Sequence, residues 1–162
     1  MLRRPAGSKR RSGDQVRVLA IIGWLAIVML AAPPAAAQRA PEAPKLAAVA
    51  ERLGLRDVGG FVEAVQSLRE THGLPPRYVT KHLAKSRGWR GGGLCEIWPG
   101  RAIGGDVFHN FTGNLPAAPG RVYREADLDA PCNSRGAKRL IFSSDGLIFV
   151  TVDHYNSFTP VP

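Results

Sequence analysis

The sequence predicts an α+β domain in which N-terminal helices pack on a C-terminal antiparallel β-sheet. In the first half of the chain, four apolar residues recur at the i, i+3, i+4, i+7 spacing of an amphipathic helix: Phe61, Ala64, Val65 and Leu68. In the last third, apolar and polar residues alternate over residues 122–128, and two further extended runs follow. Because the helical patterns come first and the strand patterns afterwards, a separate antiparallel sheet is expected.

The first 37 residues are predicted to be a secretory signal peptide. Six basic residues precede an almost wholly apolar run over residues 18–32, and Ala35, Ala36 and Ala37 supply the small residues of a cleavage site. The apolar run is shorter than the roughly 20 residues that a spanning helix needs. We therefore expect a secreted, extracellular protein with no stable membrane association after cleavage at Ala37, and an uncleaved membrane anchor is the alternative.

The charge balance of the mature chain is only moderately basic. The chain has 162 residues and a formal net charge of +9, and five of those charges belong to the signal peptide, so four remain on residues 38–162. A modest positive charge suits a polyanionic partner, because phosphate groups and their counterions dominate nucleic-acid affinity. Many solvated protein surfaces carry as much charge, so this observation does not identify a partner.

Residues 38–57 are predicted to be an N-terminal extension or pro-segment before the main domain, residues 58–162. Four apolar residues of the extension have helical spacing and precede Gly54, which predicts a short extra helix: Leu46, Val49, Ala50 and Leu53. A removable pro-segment, a secretion spacer and a packed addition to the domain all fit this pattern.

Two helices are predicted at the start of the main domain. The first covers residues 60–72 and is stopped by Pro75 and Pro76. Thr80 can cap a second, short helix that runs to about Arg87. Lys81 falls in the first turn of this helix, where a cation is electrostatically unfavourable, so a role other than helix stability is indicated.

The strands are predicted to bring an acid, a base and cations to one face. Glu125 projects from the polar face of the strand at residues 122–128, and Arg139 lies on the next run, residues 138–143. A Ser-Asp-Gly hairpin turn leads to a buried strand at residues 147–152, which ends just before His154. Cleaving a phosphodiester needs a general base, a general acid and cations for the phosphorane, and such a face supplies all three.

The same residues carry a resemblance to the barnase-like microbial extracellular ribonucleases. Three C-terminal motifs match in order and spacing: YREAD at 123–127, SSDGLI at 143–148 and TVDHYNSFT at 151–159. Upstream matches lie at residues 72–81, 88–89, 99–106 and 107–116. The resemblance covers roughly residues 61–159 and implies the microbial ribonuclease fold and an endoribonuclease that needs neither metal nor cofactor.

The resemblance also implies roles for individual residues. Glu125 is the expected general base and His154 the expected general acid, and these roles reverse when water opens the 2′,3′-cyclic phosphate. The expected phosphate-side residues are Arg139, Arg135, Lys81 and Tyr155. The expected base-binding loop consists of Phe108, His109, Asn110, Phe111 and Thr112. Thr112 stands where the family has a glutamate that accepts from guanine, so guanine preference is expected to relax toward purines.

Cys95 and Cys132 are predicted to form a disulfide. An oxidising compartment favours pairing of the two cysteines, and the family's fold brings the two loops that hold them close together. Closing this loop is expected to contribute roughly 4 kcal/mol in the chain-entropy model. Two buried free thiols are the alternative.

The expected partner is single-stranded RNA, whose unstacked bases can be bound. The family also implies a small acidic protein inhibitor resembling barstar, and a monomer is expected. The histidines show no metal-ligand spacing, so no metal site is predicted. A catalytically silent RNA- or protein-binding module on the same fold is the alternative function, and Thr112 is the residue that favours it.

Overall fold

The structure is a computed structural model that describes residues 42–162, so the predicted signal peptide lies outside the described residues. Three helices precede most of the sheet: α1 (Glu42–Arg52), α2 (Val58–Thr71) and α3 (Lys81–Ser86). The Asp57 carboxylate caps α2 by accepting a hydrogen bond from the Gly60 amide at 2.9 Å. His72 ends α2 in the left-handed conformation, with φ of 57°.

Six strands form one sheet in the order in which they occur along the chain. They are β1 (Tyr78–Val79), β2 (Ala102–Phe108), β3 (Tyr123–Asp127), β4 (Arg139–Ser143), β5 (Ile148–Thr151) and β6 (Thr159–Pro160). All neighbours pair antiparallel except β1 and β2, which pair parallel. The predicted α+β fold is confirmed, with the difference that the short β1 makes the sheet mixed.

One face of the sheet packs against α1 and α2. The core on this side contains residues from both helices and from three strands: Leu46, Val49, Ala50, Phe61, Ala64, Val65, Ala126, Leu140 and Val150. The helix predicted within residues 38–57 is therefore present, and its apolar side lies in the main core.

The opposite face of the sheet carries Glu125. In β3 the side chains alternate, so Ala126 faces the helices while Tyr123 and Glu125 face the other way. Tyr123 and Ile141 are buried there beneath partly buried aromatic rings. Glu125 was expected on a wetter face, but it is buried because cations and an aromatic side chain cover it.

A third, smaller cluster holds α3 and the long loop that follows it. Its buried members are Val79, Ala84, Trp89, Leu94 and Ile103, with Trp98 packed against them. This loop carries Cys95, which forms the predicted disulfide with Cys132, with the two Cα atoms 5.0 Å apart. Across residues 42–162, none of the helices is both long and apolar enough to span a membrane.

Candidate active site

The carboxylate of Glu125 is the centre of the site. Its Oε1 accepts a hydrogen bond from Lys81 Nζ at 2.7 Å, and its Oε2 accepts one from the Tyr155 hydroxyl at 2.6 Å. Nη2 of Arg135 lies 3.6 Å from Oε1. Burial by itself would raise the pKa of Glu125, but the hydrogen bonds from Lys81 and Tyr155 and the nearby positive charges outweigh it, and the pKa is lowered.

The start of α3 places Lys81 beside Glu125. Thr80 caps the helix by accepting a hydrogen bond from the Leu83 amide at 3.2 Å. The Lys81 amide donates to Asp106 Oδ2 at 2.9 Å, so a carboxylate on β2 occupies the helix N-terminus. The cation in the first turn is therefore explained by its ion pair with Glu125, while Asp106 supplies the negative charge that the helix end favours.

Two arginines converge on the buried carboxylate of Asp127. Arg135 donates two hydrogen bonds to it, from Nε at 2.8 Å and from Nη2 at 2.6 Å. Arg139 Nε lies 3.0 Å from Asp127 Oδ1 as an ion pair without hydrogen-bond geometry. The hydrogen bonds that Arg135 donates to Asp127 raise the pKa of Arg135, so its guanidinium is held charged.

Tyr155 connects Glu125 to the aromatic side of the site. Its ring stacks on Phe108 with centroids 5.2 Å apart, and the Arg139 guanidinium carbon lies 5.9 Å from the Tyr155 centroid. Burial, together with the hydrogen bond to Glu125, raises the pKa of Tyr155 to about 12. The tyrosine hydroxyl is therefore a hydrogen-bond donor to Glu125 throughout the neutral range.

His154 lies at the rim, next to Tyr155. The two rings are 4.8 Å apart, and both residues have positive φ angles, 57° and 73°, which are uncommon for residues other than glycine. Asp153 stabilises this turn by accepting hydrogen bonds from Thr151 Oγ1 at 2.9 Å and from both the amide and the hydroxyl of Ser157. The exposed His154 therefore lies on a turn that is held in place by the hydrogen bonds of Asp153.

The predicted base-binding loop follows the end of β2. The Asn110 side chain closes it by donating to the Leu115 carbonyl at 2.8 Å and accepting from the Leu115 amide at 3.2 Å. Phe111 is 90% exposed and stacks on His109 with centroids 5.1 Å apart. Thr112 is exposed on the same loop. The loop thus presents an aromatic pair and a neutral hydroxyl to solvent.

Comparison with known proteins assigns the chain that contains this site to a family. A family model described as ribonuclease matches residues 63–162. The chain belongs to the ribonuclease family. The resemblance to barnase-like microbial ribonucleases is confirmed at that level, and the matched residues of the chain include all of the site residues described above.

Individual relatives support the same assignment. The chain is 50% identical over 90 residues to "Ribonuclease" of Bacillus intermedius, which covers 54% of this chain and 56% of that protein. It is 49% identical over 90 residues to "Ribonuclease" of Heyndrickxia coagulans, and this match covers 83% of that protein. It is 40% identical over 55 residues to "Guanyl-specific ribonuclease St" of Saccharopolyspora erythraea, and this match covers 33% of the present chain. The chain therefore spans little more than half the length of the Bacillus relative.

The structure adds two carboxylates that the sequence patterns did not assign to the site. Asp127 holds both arginines, and Asp106 holds the start of α3. The signal for Asp127 was present in the alternation of β3, which puts it on the same face as Glu125. Among residues 42–162, no three His, Cys, Asp or Glu side chains are grouped so as to hold a metal ion.

Proposed function

We propose that the protein is a secreted endoribonuclease that cleaves single-stranded RNA by transesterification. The observation that carries the proposal is the buried Glu125 carboxylate, held by Lys81 and Tyr155, with Arg135 beside it and His154 next to Tyr155. A carboxylate kept ionised and a histidine at the rim are the two proton carriers that RNA cleavage requires.

In the first step, Glu125 accepts the proton of the ribose 2′-hydroxyl. The 2′-oxygen attacks phosphorus, the bond from phosphorus to the 5′-oxygen breaks, and protonated His154 donates its proton to the departing 5′-oxygen. The products are a 2′,3′-cyclic phosphate and a free 5′-hydroxyl. The lowered pKa of Glu125 keeps the carboxylate in the form that accepts a proton at neutral pH.

In the second step, water opens the cyclic phosphate with the roles reversed. Neutral His154 takes a proton from water, the water oxygen attacks phosphorus, and the bond from phosphorus to the 2′-oxygen breaks. Glu125 returns its proton to that oxygen, which leaves a 3′-phosphate. At the end of the cycle Glu125 is again ionised and His154 is again protonated, so the enzyme is ready for the next substrate.

The cations stabilise the charge that develops on the phosphate oxygens. The guanidinium groups of Arg135 and Arg139 are the expected partners of the phosphate oxygens, and Lys81 adds a point charge beside Glu125. Because Asp127 and Glu125 already orient these groups, little reorganisation is needed when the transition state forms.

We propose that the loop from Phe108 to Thr112 holds the base upstream of the cleaved bond. The neutral Thr112 hydroxyl accepts more weakly than a carboxylate does, so a preference for guanine, or for purines generally, is expected to be modest. Phe111 and His109 offer ring surfaces that stack on any base. A preference for guanine over adenine of about a thousandfold or more would contradict this part of the proposal.

Export and inhibition belong to the same proposal. The predicted leader and the Cys95–Cys132 disulfide support an extracellular destination. A cytosolic precursor would threaten the producing cell's RNA, and a barstar-like acidic inhibitor would find a cationic target in Lys81, Arg135 and Arg139. The proposed enzyme acts as a monomer.

The test is cleavage of the dinucleotides GpN, ApN, CpN and UpN by the oxidised protein, with EDTA present and cyclic phosphates monitored. Glu125→Ala and His154→Ala should each lower kcat/KM by about 10²- to 10⁴-fold. The matched controls are Glu63→Ala and His82→Ala, which change exposed residues of the same types on α2 and α3. Absence of cleavage by folded protein, on dinucleotides and on longer RNA, would favour the binding-module alternative.

A further inference from the structure

The disulfide lies close along the chain to one of the phosphate-side arginines. Cys132 is in the connection between β3 and β4, and Arg135 follows three residues later. The start of this connection is held by Asp129, which binds the amides of Arg56 and Asp57. Its end is held by Arg139, which donates to the Arg135 carbonyl at 3.2 Å. Between these two anchors, the bridge ties the connection to the rest of the fold.

The other half of the bridge, Cys95, follows Leu94, which belongs to a buried cluster. Next to Cys95, the Leu94 side chain packs with Trp89 and with Ala84 of α3. The loop's backbone also passes very close to the second cysteine, since a Cβ atom on Gly93 would lie 1.7 Å from the Cys132 carbonyl oxygen. Trp89 Nε1 donates to the Gly92 carbonyl at 3.2 Å, which fixes this turn of the loop.

The bridge joins the connection that holds Cys132 and Arg135 to the loop that follows α3. Leu94 of that loop shares a buried cluster with Ala84 of α3, the helix that begins at Lys81. Arg135 forms ion pairs with both Glu125 and Asp127. Losing the covalent link would let the connection at Cys132 move relative to α3, and Arg135 is the site residue nearest to it along the chain.

We propose that the Cys95–Cys132 disulfide positions Arg135 for transition-state binding, so that the enzyme reaches full activity only after oxidation. This proposal rests on the proposed function. The two thiols lose two protons and two electrons as the S–S bond forms, and a small-molecule or protein disulfide accepts them and becomes two thiols. Because Cys132 is exposed, a dithiol can reach it and reverse the reaction by thiol–disulfide exchange.

A disulfide that positions a catalytic group and one that only stabilises the fold differ in their effect on kinetics. A disulfide that only stabilises the fold changes the unfolding midpoint but leaves the kinetics of the folded protein unaltered. A disulfide that positions Arg135 changes kcat even where the protein is fully folded, because a displacement of about 1 Å in a catalytic group can cost roughly a hundredfold in rate. KM should change by less than about threefold, since the ground-state phosphate needs less exact placement.

The experiment compares the oxidised full chain with the same protein reduced by dithiothreitol and with the Cys95→Ser/Cys132→Ser variant. All are assayed on a dinucleotide at a temperature where circular dichroism shows each protein folded. Reduction is expected to lower kcat by about ten- to a hundredfold. The matched control is Val49→Ala, which weakens a different buried cluster from the one that contains Leu94 and should lower the unfolding midpoint without this loss of kcat.

Two further variants test the route through Arg135. In Arg135→Gln, which is already impaired, reduction should produce no further loss, because the group that the bridge positions is absent. Gly93→Ala keeps both cysteines but forces the loop away from Cys132, and it should show the same kcat defect as reduction. Arg135→Lys, which keeps a positive charge at this position, should be more active than Arg135→Gln but less active than the wild type. Its kcat should again fall on reduction.

The outcomes distinguish this proposal from the proposed function. An active oxidised enzyme whose kcat is unchanged by reduction overturns the positioning role and leaves the ribonuclease assignment intact. Equal effects of reduction in the wild type and in Arg135→Gln also overturn it. An oxidised, folded protein with no cleavage of any RNA overturns the proposed function itself.

Discussion

The Arg135 guanidinium donates two hydrogen bonds to the Asp127 carboxylate, at 2.6 and 2.8 Å. Only 1% of the Asp127 side chain is exposed, and its charge is balanced by Arg135 and by Arg139. A buried carboxylate that pairs with two arginines holds both guanidinium groups in place. The same pairing therefore serves the stability of the fold and the geometry of the site.

Asp127→Asn should impair both stability and activity. The substitution removes the negative charge between two arginines, so the free energy of unfolding should fall by about 3 to 5 kcal/mol, as when one partner of a buried ion pair is lost. Because the two guanidinium groups are then no longer held in place, kcat/KM should also fall. Urea unfolding and dinucleotide kinetics measure the two effects.

The matched control for this change is Asp145→Asn. Asp145 pairs with Arg121 in an ion pair of the same kind, but about half of its side chain is exposed. A surface pair contributes little to stability, and neither the free energy of unfolding nor kcat/KM should change much. Equal kinetic losses in the two variants would contradict the assignment of Asp127 as the support of the site.

Lys81→Ala should move the acid limb of the pH profile. Lys81 is the strongest of the groups that lower the pKa of Glu125. Without it that pKa rises, so the carboxylate becomes protonated at a higher pH and the acid limb of kcat/KM shifts upward. The exposed Lys85, in the last turn of the same helix, is the control, and Lys85→Ala should leave the limb in place. A limb that stays fixed in Lys81→Ala would argue against Glu125 as the base.

Thr112→Glu should sharpen base discrimination. A carboxylate at this position accepts from the two N–H donors that guanine presents and adenine lacks, which is worth about 1 to 3 kcal/mol for a good base contact. The ratio of kcat/KM for GpN over ApN measures the change. The comparison is Thr112→Gln, because glutamine is neutral and similar in length to glutamate. This variant should gain less preference for GpN over ApN. No change in the ratio for Thr112→Glu would mean that the loop does not hold the base.

Leu46→Ala tests whether α1 is part of the folded domain. Leu46 is almost fully buried in the core shared with α2 and the sheet, so truncation should lower the free energy of unfolding by about 2 to 5 kcal/mol. The neighbouring Lys45 is exposed, and Lys45→Ala should have little effect. An unchanged unfolding curve for Leu46→Ala would indicate that residues 38–57 are a dispensable pro-segment.

Much of the fold could be predicted because its elements are local. Apolar spacing predicts α2 over residues 60–72, and the helix begins two residues earlier because Asp57 supplies its cap. Alternation and an Asp-Gly turn predict β3, β4 and β5 to within a residue or two. The parallel pairing of β1 was missed, because a strand of two residues has no periodicity that a sequence pattern can reveal.

The sequence by itself determined the residue types of the site and their order, because those depend on motifs and spacing along the chain. Only the tertiary structure decided how Glu125 is surrounded: Lys81 from α3, Arg135 from a connection and Tyr155 from a C-terminal turn meet there although they are far apart in sequence. Only the fold shows that Asp127 is buried between two arginines. Burial and charge pairing depend on which distant segments pack together, and no local pattern encodes that.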